Sequence, residues 1–240
     1  MKGVDISHYQ KGLTIRQIWE AGNDFAVIKV TEGTWLKDAA AFDFYREAYE
    51  TGFPVGCYCY SHAVTPEDAR SEAQFLLQTI NHFPMPCGVF LDIEEPKQLD
   101  LAKEKLLAVV ETWCGTIADA GYVPGIYGSA GMLWAKLDPG TLPEGCLKWV
   151  AKWSQSPPDM PCDLWQDSDS GSIGGVTVDT DEVRSERFRT MVLAGMPKRP
   201  QAADAASALS KAASMLMSYL RTPEFEKGFF DYVQRTEGSE

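Results

Sequence analysis

The chain alternates short apolar runs with stretches in which apolar residues recur every three or four positions. Gly3–Ile6, Asp24–Val30, Val55–Tyr60 and Gly88–Ile93 read as strands. Between them, Ile15, Ile18 and Trp19 share one helical face, as do Phe42, Tyr45, Ala48 and Tyr49 before a stop at Gly52. Pro66 opens a longer helix whose inward stripe is Ala69, Ala73, Leu76, Leu77 and Ile80. Leu106, Val109, Val110, Trp113 and Ile117 form another helical face that ends near Gly121. Tyr122–Tyr127, Leu147–Ala151, Cys162–Gln166 and Val176–Val178 read as later strands, with one helix at Ala130, Leu133, Trp134 and Leu137 and little helix beyond it. Apolar strands separated by helices indicate a parallel sheet covered on both faces. About eight such strands in one domain favour closure. The pattern therefore predicts an α/β fold: an irregular (β/α)8 TIM-like barrel with fewer than eight helices.

Residues 1–196 make up that barrel domain in this reading. Met196–Pro200 (MPKRP) reads as a linker, and 197–240 as linker plus a short helical C-terminal extension. In the extension, Ala205, Ala208, Leu209, Ala212, Leu216, Tyr219 and Leu220 recur at helical spacing. A tail of about 40 residues does not easily hold its own core. It is expected to dock on the barrel or to mediate self-association through its helix.

Composition narrows the function classes. A net charge of -12 argues against a nucleic-acid partner, since no basic field displaces counterions from phosphate. No apolar run reaches the length of a membrane span, so membrane insertion is not expected. The N-terminus, MKGVDISHYQ, lacks the pattern of a signal peptide. The six cysteines have no zinc-ribbon or thioredoxin spacing and read as buried thiols.

In β/α barrels, reactive groups sit where strands run out into the following loops. One early strand ends Val4-Asp5-Ile6, and another ends Leu91-Asp92-Ile93-Glu94. Asp92 and Glu94 are two positions apart, so on a strand they share one face. Two acids crowded in a barrel mouth should titrate apart, one neutral and one charged. That division suits glycosidic cleavage, in which an acid protonates the leaving oxygen and a carboxylate supports the developing positive charge. The same acids could instead form a solvated strand end or hold a divalent metal. With three histidines and no HxH pair, neither a metal nor another cofactor is expected. Tyr9, Trp35, Tyr58, Tyr60, Tyr127, Trp149, Trp153 and Trp165 lie at or near strand ends, where ring faces suit sugars as well as a core.

The segments GVDISHYQ (3–10), FAVIKVTEGT (25–34), VGCYCYSHA (55–63), VFLDIEE (89–95), GIYGSAGMLW (125–134), LKWVAKWS (147–154) and DLWQDSDSGSIGGVTVDTD (163–181) follow one another in a known order. Together they resemble glycoside hydrolase family 25, the Chalaropsis-type lysozymes of bacteria and phage endolysins, from residue 1 to about residue 194. The resemblance implies a barrel of eight strands with fewer helices. It implies hydrolysis of the β-1,4 bond from N-acetylmuramic acid to N-acetylglucosamine, with peptidoglycan glycan strands as the partner. By matching position, Glu94 resembles the general acid, and Asp92 the carboxylate that orients the substrate acetamido group. Asp5 and Asp179 match two further cleft acids. Tyr58, Tyr60, Tyr127, Trp165 and Glu32 are expected on the substrate side. The chain departs from the pattern at Cys59, where histidine is usual, and at Asp167, where an aromatic is usual. The setting so implied is a phage or prophage endolysin, made in the host cytoplasm and acting at the wall after release. A non-catalytic saccharide-binding barrel and a hydrolase of chitin-like glycans are the alternatives.

Overall fold

The computed structural model describes residues 1–195. The linker, the helical extension and the proposed self-association helix lie outside the described residues.

Nine strands form one sheet: β1 (Lys2–Ile6), β2 (Phe25–Glu32), β3 (Leu36–Lys37), β4 (Val55–Tyr60), β5 (Val89–Asp92), β6 (Pro124–Ser129), β7 (Leu147–Ala151), β8 (Leu164–Ile173) and β9 (Val176–Val183). Their order is β1-β9-β8-β7-β6-β5-β4-β2-β3, and β1 also pairs with β2. β1 thus bridges β9 and β2, and its two pairings close the ring. The two-residue β3 hangs on β2 as an edge, so eight of the nine strands make a closed barrel. Seven α-helices connect or cover them: α1 (Ile15–Glu20), α2 (Ala41–Thr51), α3 (Pro66–Ile80), α4 (Pro96–Leu99), α5 (Lys103–Asp119), α6 (Leu133–Lys136) and α7 (Glu186–Gly195). Among the described residues, the helices are therefore fewer than eight, as the resemblance implied.

Strand parity sorts the side chains into two cores. Val4, Ile6, Ala26, Ile28, Val30, Val55, Cys57, Cys59, Val89, Leu91 and Ile93 point outward and pack under the helices with Leu76, Ile80, Val109, Val110 and Trp113. The alternate positions, Phe25, Val27, Phe90, Tyr127, Leu147, Trp149 and Leu164, fill the barrel interior together with Phe188 and Val192 of α7. Phe25 meets Phe188 edge to face at 5.4 Å, so α7 stoppers the end where the parallel strands begin. Helix starts follow local chemistry. Thr65 accepts from the Asp68 amide and Pro66 occupies the first turn of α3.

The far side of the barrel differs from the parallel sheet expected. β9 runs antiparallel to both β1 and β8. The sequence pattern predicts a strand there only at Val176–Val178. The strand continues to Val183, because Val178, Thr180 and Glu182 alternate with Asp179 and Asp181 at period two. A hairpin at Gly174 and Gly175, both with positive φ, replaces a helical crossover and leaves no room for a covering helix. The helix expected around Ala130–Leu137 shortens to Leu133–Lys136.

Glycines let large rings into this interior. A Cβ on Gly125 would stand 2.3 Å from the Phe90 ring, and one on Gly3 would stand 2.3 Å from the Phe25 ring. Both aromatic residues are fully buried, with no space to retreat. Gly125→Ala is expected to lower the unfolding free energy by about 1–3 kcal/mol in urea titrations, as overpacking does. Gly12→Ala, with open space around the same atom, serves as the control.

Candidate active site

At the end where the parallel strands finish, the interior turns polar and opens into a cleft of about 530 Å³. Each strand sends the next residue of its inward row into it. β1 contributes Asp5, β2 Lys29 and Glu32, β4 Tyr58 and Tyr60, β5 Asp92, β6 Tyr127, β7 Trp149, β8 Gln166 and β9 Asp179. Ladder partners set the spacing. Tyr60 pairs with Asp92, Asp92 with Tyr127 and Tyr127 with Trp149 across successive strands. Strand β5 ends at Asp92, so Glu94 lies just beyond it rather than within it. The Ile93 amide still donates to the Tyr127 carbonyl at 3.1 Å, which continues the extended path. Glu94 therefore reaches the same cleft as Asp92, and it is exposed where Asp92 is buried.

Of the residues expected at the site, Asp5, Glu32, Tyr58, Tyr60, Asp92, Glu94, Tyr127 and Asp179 line this one cleft. Trp165 is not among them. It sits one position off the inward parity of Leu164 and Gln166, and its indole N–H donates to the Lys152 carbonyl at 2.8 Å outside the barrel. Trp149 supplies the indole inside the cleft instead. The sequence pattern assigns no role to Lys29, Gln166 or Asp181. The signal that could have found them is the same one that finds Asp5: two-residue steps inward from Phe25 and Val27, from Leu164, and from Asp179.

Asp5 and Asp179 are direct cross-strand partners in the antiparallel β1–β9 pair. Like charges so placed repel. The Gln166 side-chain amide separates them: its nitrogen donates to Asp5 Oδ2 at 2.8 Å and to Asp179 Oδ2 at 3.3 Å. Its oxygen accepts from the Tyr127 hydroxyl and from the Trp153 indole N–H, each at 2.9 Å. Two donors and two acceptors are all that an amide side chain offers, and Gln166 uses them all. Beneath this layer Asp181 is buried and accepts from the Trp149 indole N–H at 2.8 Å. Asp92 Oδ1 and Asp181 Oδ2 are buried with no hydrogen-bond partner among the described residues.

Burial dominates the titration of these acids. It pushes Asp5 up to about 8, with the Asp179 charge adding to the rise and the Gln166 hydrogen bond opposing it. Asp92 is raised well above the carboxylate range, first by burial, then by Glu94 and Asp5. Glu94, though it stands at the cleft edge, is raised by partial desolvation of its carboxyl and by Asp179, with the nearby Tyr127 hydroxyl opposing the rise. Asp179 and Asp181 are raised by burial as well. Glu32 goes the other way, held down first by its hydrogen bond from Lys29. Lys29 is the single lysine or arginine among the described residues that line the cleft. Among the described residues, no group of three or more His, Cys, Asp or Glu is placed to hold a metal ion.

A closed barrel whose strand ends converge several carboxyl groups on one open cleft is an arrangement suited to acid–base chemistry on a bound ligand. Residues 4–176 match the family model for glycosyl hydrolases family 25, and the chain belongs to that family. It is similar to the autolytic lysozyme of Clostridium acetobutylicum, 28% identical over 183 residues that cover 75% of this chain and 54% of that protein. A lysozyme of Streptomyces globisporus is 30% identical over 202 residues, covering 75% of this chain and 66% of that one. The chain thus spans about half to two thirds of the length of these relatives. In fold, it is similar to the catalytic domain of an endolysin from a Listeria monocytogenes bacteriophage, with a TM-score of 0.67 and 24% identity. That likeness covers 80% of this chain and 97% of the endolysin domain.

The raised Asp5 fixes the sign of a stability effect. A carboxyl that ionises near 3.8 unfolded and near 8 folded binds more protons in the folded state between those pH values. Stability from this group is therefore lost as pH rises through that window. Asp5→Asn is expected to unfold at higher urea than the parent at pH 8. The difference should be at least about 1 kcal/mol, since a tenfold change in a proton-binding constant corresponds to about 1.4 kcal/mol. Near pH 4 the two should converge, and equal midpoints at pH 8 would contradict the assignment.

Proposed function

We propose that this chain hydrolyses the β-1,4 bond between N-acetylmuramic acid and N-acetylglucosamine in peptidoglycan. The observation that carries the reading is the pair Asp92 and Glu94 facing one open cleft from a single strand end, with Asp5 and Asp179 opposite. The lysozyme names of the relatives support the same substrate class.

In this reading Glu94 is the general acid. It stands at the open edge of the cleft, where a glycosidic oxygen can reach it, and its raised pKa favours the protonated form that a general acid needs. Asp92 lies deeper and acts as the carboxylate. It accepts from the N–H of the substrate acetamido group, so that the acetamido oxygen is turned toward the sugar carbon as the leaving oxygen takes the Glu94 proton. Asp5 and Asp179, tied through Gln166, shape the opposite wall and keep it acidic. Tyr58 and Tyr60 offer hydroxyls to the sugars and Tyr127 a ring face, and Glu32 fixes the buried Lys29 in the cleft wall. Trp165 has no contact role here; its ring packs under the Arg184 guanidinium at 5.8 Å. The setting we propose is a phage or prophage endolysin, supported by the likeness of fold to an endolysin catalytic domain.

Incubation with purified peptidoglycan, followed by identification of the new reducing end, tests the reaction. Muramic acid at that end is the expected result. Glucosamine there would redirect the reading to another glycosidase, and binding without cleavage would favour a saccharide-binding barrel. Glu94→Gln should lose at least about a hundredfold in turnover while still folding and retaining glycan, because the proton donor goes and the shape stays. Asp92→Asn should also lose on the order of a hundredfold, through weaker electrostatic support of the transition state. Near-normal rates in either variant would remove that residue from its role.

A further inference from the structure

Two of the six cysteines meet on the outside of the barrel. Cys114 lies on α5, and Cys146 stands at the end of the turn that leads into β7. The Cys114 thiol donates to Cys146 Sγ at 3.4 Å, and the Cys146 thiol donates in turn to the Leu147 carbonyl at 3.5 Å. The first of these is the one sulfur–sulfur hydrogen bond among the described residues. Both side chains are buried in the outer core, between the helices and the strands. The backbones that carry them are held from both sides. Cys114 shares the inward face of α5 with Val110, Trp113 and Ile117. The Cys146 amide donates to the Pro143 carbonyl at 3.1 Å, and the next residue, Leu147, pairs with Gly125 of β6.

We propose that Cys114 and Cys146 form a modification site, at which an intramolecular disulfide closes when the protein meets a small-molecule disulfide such as oxidised glutathione. An S–S bond is about 2.0 Å long, so the sulfurs must approach by about 1.4 Å, a shift that rotation about the two Cα–Cβ bonds supplies. The thiolate of one cysteine attacks a sulfur of the small disulfide and releases one small thiol. The second cysteine attacks the resulting mixed disulfide and releases the other. The two cysteine thiols lose two protons and two electrons, and the small disulfide is reduced to two thiols.

The surroundings of the two thiols set the order of attack. Cys146 follows the exposed Glu144 and Gly145, so opening of a short surface turn uncovers it. Cys114 lies beneath, within a helix. Its hydrogen bond to Cys146, and then its burial, push its thiol up and away from the reactive thiolate. Cys146 is therefore the entry thiol and Cys114 the one that resolves the mixed disulfide. The bond joins residues 32 apart in sequence and encloses β6 and α6 in a covalent loop. Such a loop restrains the unfolded chain and raises stability. It stays clear of the cleft, whose lining comes from the inward row of each strand. Disulfides persist in oxidising compartments and are reduced in the cytosol, so the site tells a chain inside a cell from one outside it. None of this depends on the reaction proposed above. The plainer alternative is a pair of thiols that serve only as small apolar packing and stay reduced.

Peptide mapping of the full-length protein tests the site. Folded protein is held with oxidised glutathione, then denatured, and its remaining thiols are alkylated. A second sample is unfolded in urea with reductant and refolded in mixed reduced and oxidised glutathione, so that burial cannot shield the pair. Both should yield the Cys114 peptide joined to the Cys146 peptide, with Cys57, Cys59, Cys87 and Cys162 alkylated. The thermal midpoint of the oxidised protein should rise by about 5 °C or more and return on reduction. Folded Cys114→Ala should gain one glutathionyl group on Cys146 and show no such rise, and folded Cys146→Ala should leave Cys114 unmodified. Cys162→Ala should behave as the parent. No Cys114–Cys146 link in the refolded sample, a link of either residue to another cysteine, or a link without a higher midpoint would overturn the inference. A link in the refolded sample alone supports the pairing and removes the entry route through the surface turn. Glutathione on Cys114 in Cys146→Ala would overturn the order of attack. Should either alanine variant fail to fold, the peptide map and midpoint of the parent decide.

Discussion

Carboxyl groups crowded into a confined space cannot all be charged, and the upper interior of this barrel is built around that constraint. Asp5, Asp92, Glu94 and Asp179 line one cleft, and Asp181 lies buried beneath it. Each is pushed toward its neutral form, in every case mainly by burial. Everything else in the cleft manages the resulting distribution of protons. Gln166 separates two carboxyls that strand register forces together. The Trp149 indole gives Asp181 a donor. Among the described residues, Lys29 is the lone opposing charge in the lining. A folded state that carries such groups gives up stability, which is a common signature of sites built for chemistry rather than for packing.

The rigid part of the barrel makes this crowding sustainable. Below the acids, rings from β2, β5 and β7 interlock with α7, and glycines in β1 and β6 give two of those rings their room. The acidic layer rests on this packed floor and cannot relax by sinking into it. Behind the β4 loop, Glu72, Ser61 and Gln98 form a buried set: Ser61 donates to Glu72 at 2.7 Å, and Gln98 donates to Ser61 at 2.9 Å. The Ser61 amide then donates to the Asp92 carbonyl at 3.0 Å, so this set fixes the backbone that carries Asp92.

Much of this is legible from residue order alone, and the reason is parity. In a barrel, a strand with period two assigns every other residue to the interior, so Asp5, Asp92 and Tyr127 can be placed at the mouth without coordinates. Glu94 reaches the same mouth although it lies past the strand end, because the extended path continues through Ile93. Three things are harder to read. Trp165 is drawn to the substrate side by likeness to a motif, and parity puts it on the other face. Gln166 has an uncharged side chain whose value comes only from four partners that converge in space from β1, β6, β9 and the segment after β7. The direction of β9 depends on a glycine hairpin instead of a helix, and a short run of Val and Thr alternating with Asp resembles a loop as much as a strand.

The ring is sealed by β1 meeting β9, residues nearly a full domain apart in sequence. Asp5 and Asp179 face one another across that seam, and Gln166 reaches both only when it is shut. Pairing of such distant segments carries the loop-closure entropy of nearly the whole intervening chain. The link from Asp5 through Gln166 to Asp179 therefore does not exist until that seam is shut. A barrel with that seam open holds the same acidic residues without their shared arrangement, so the pairing of β1 with β9 is what completes the acidic cleft.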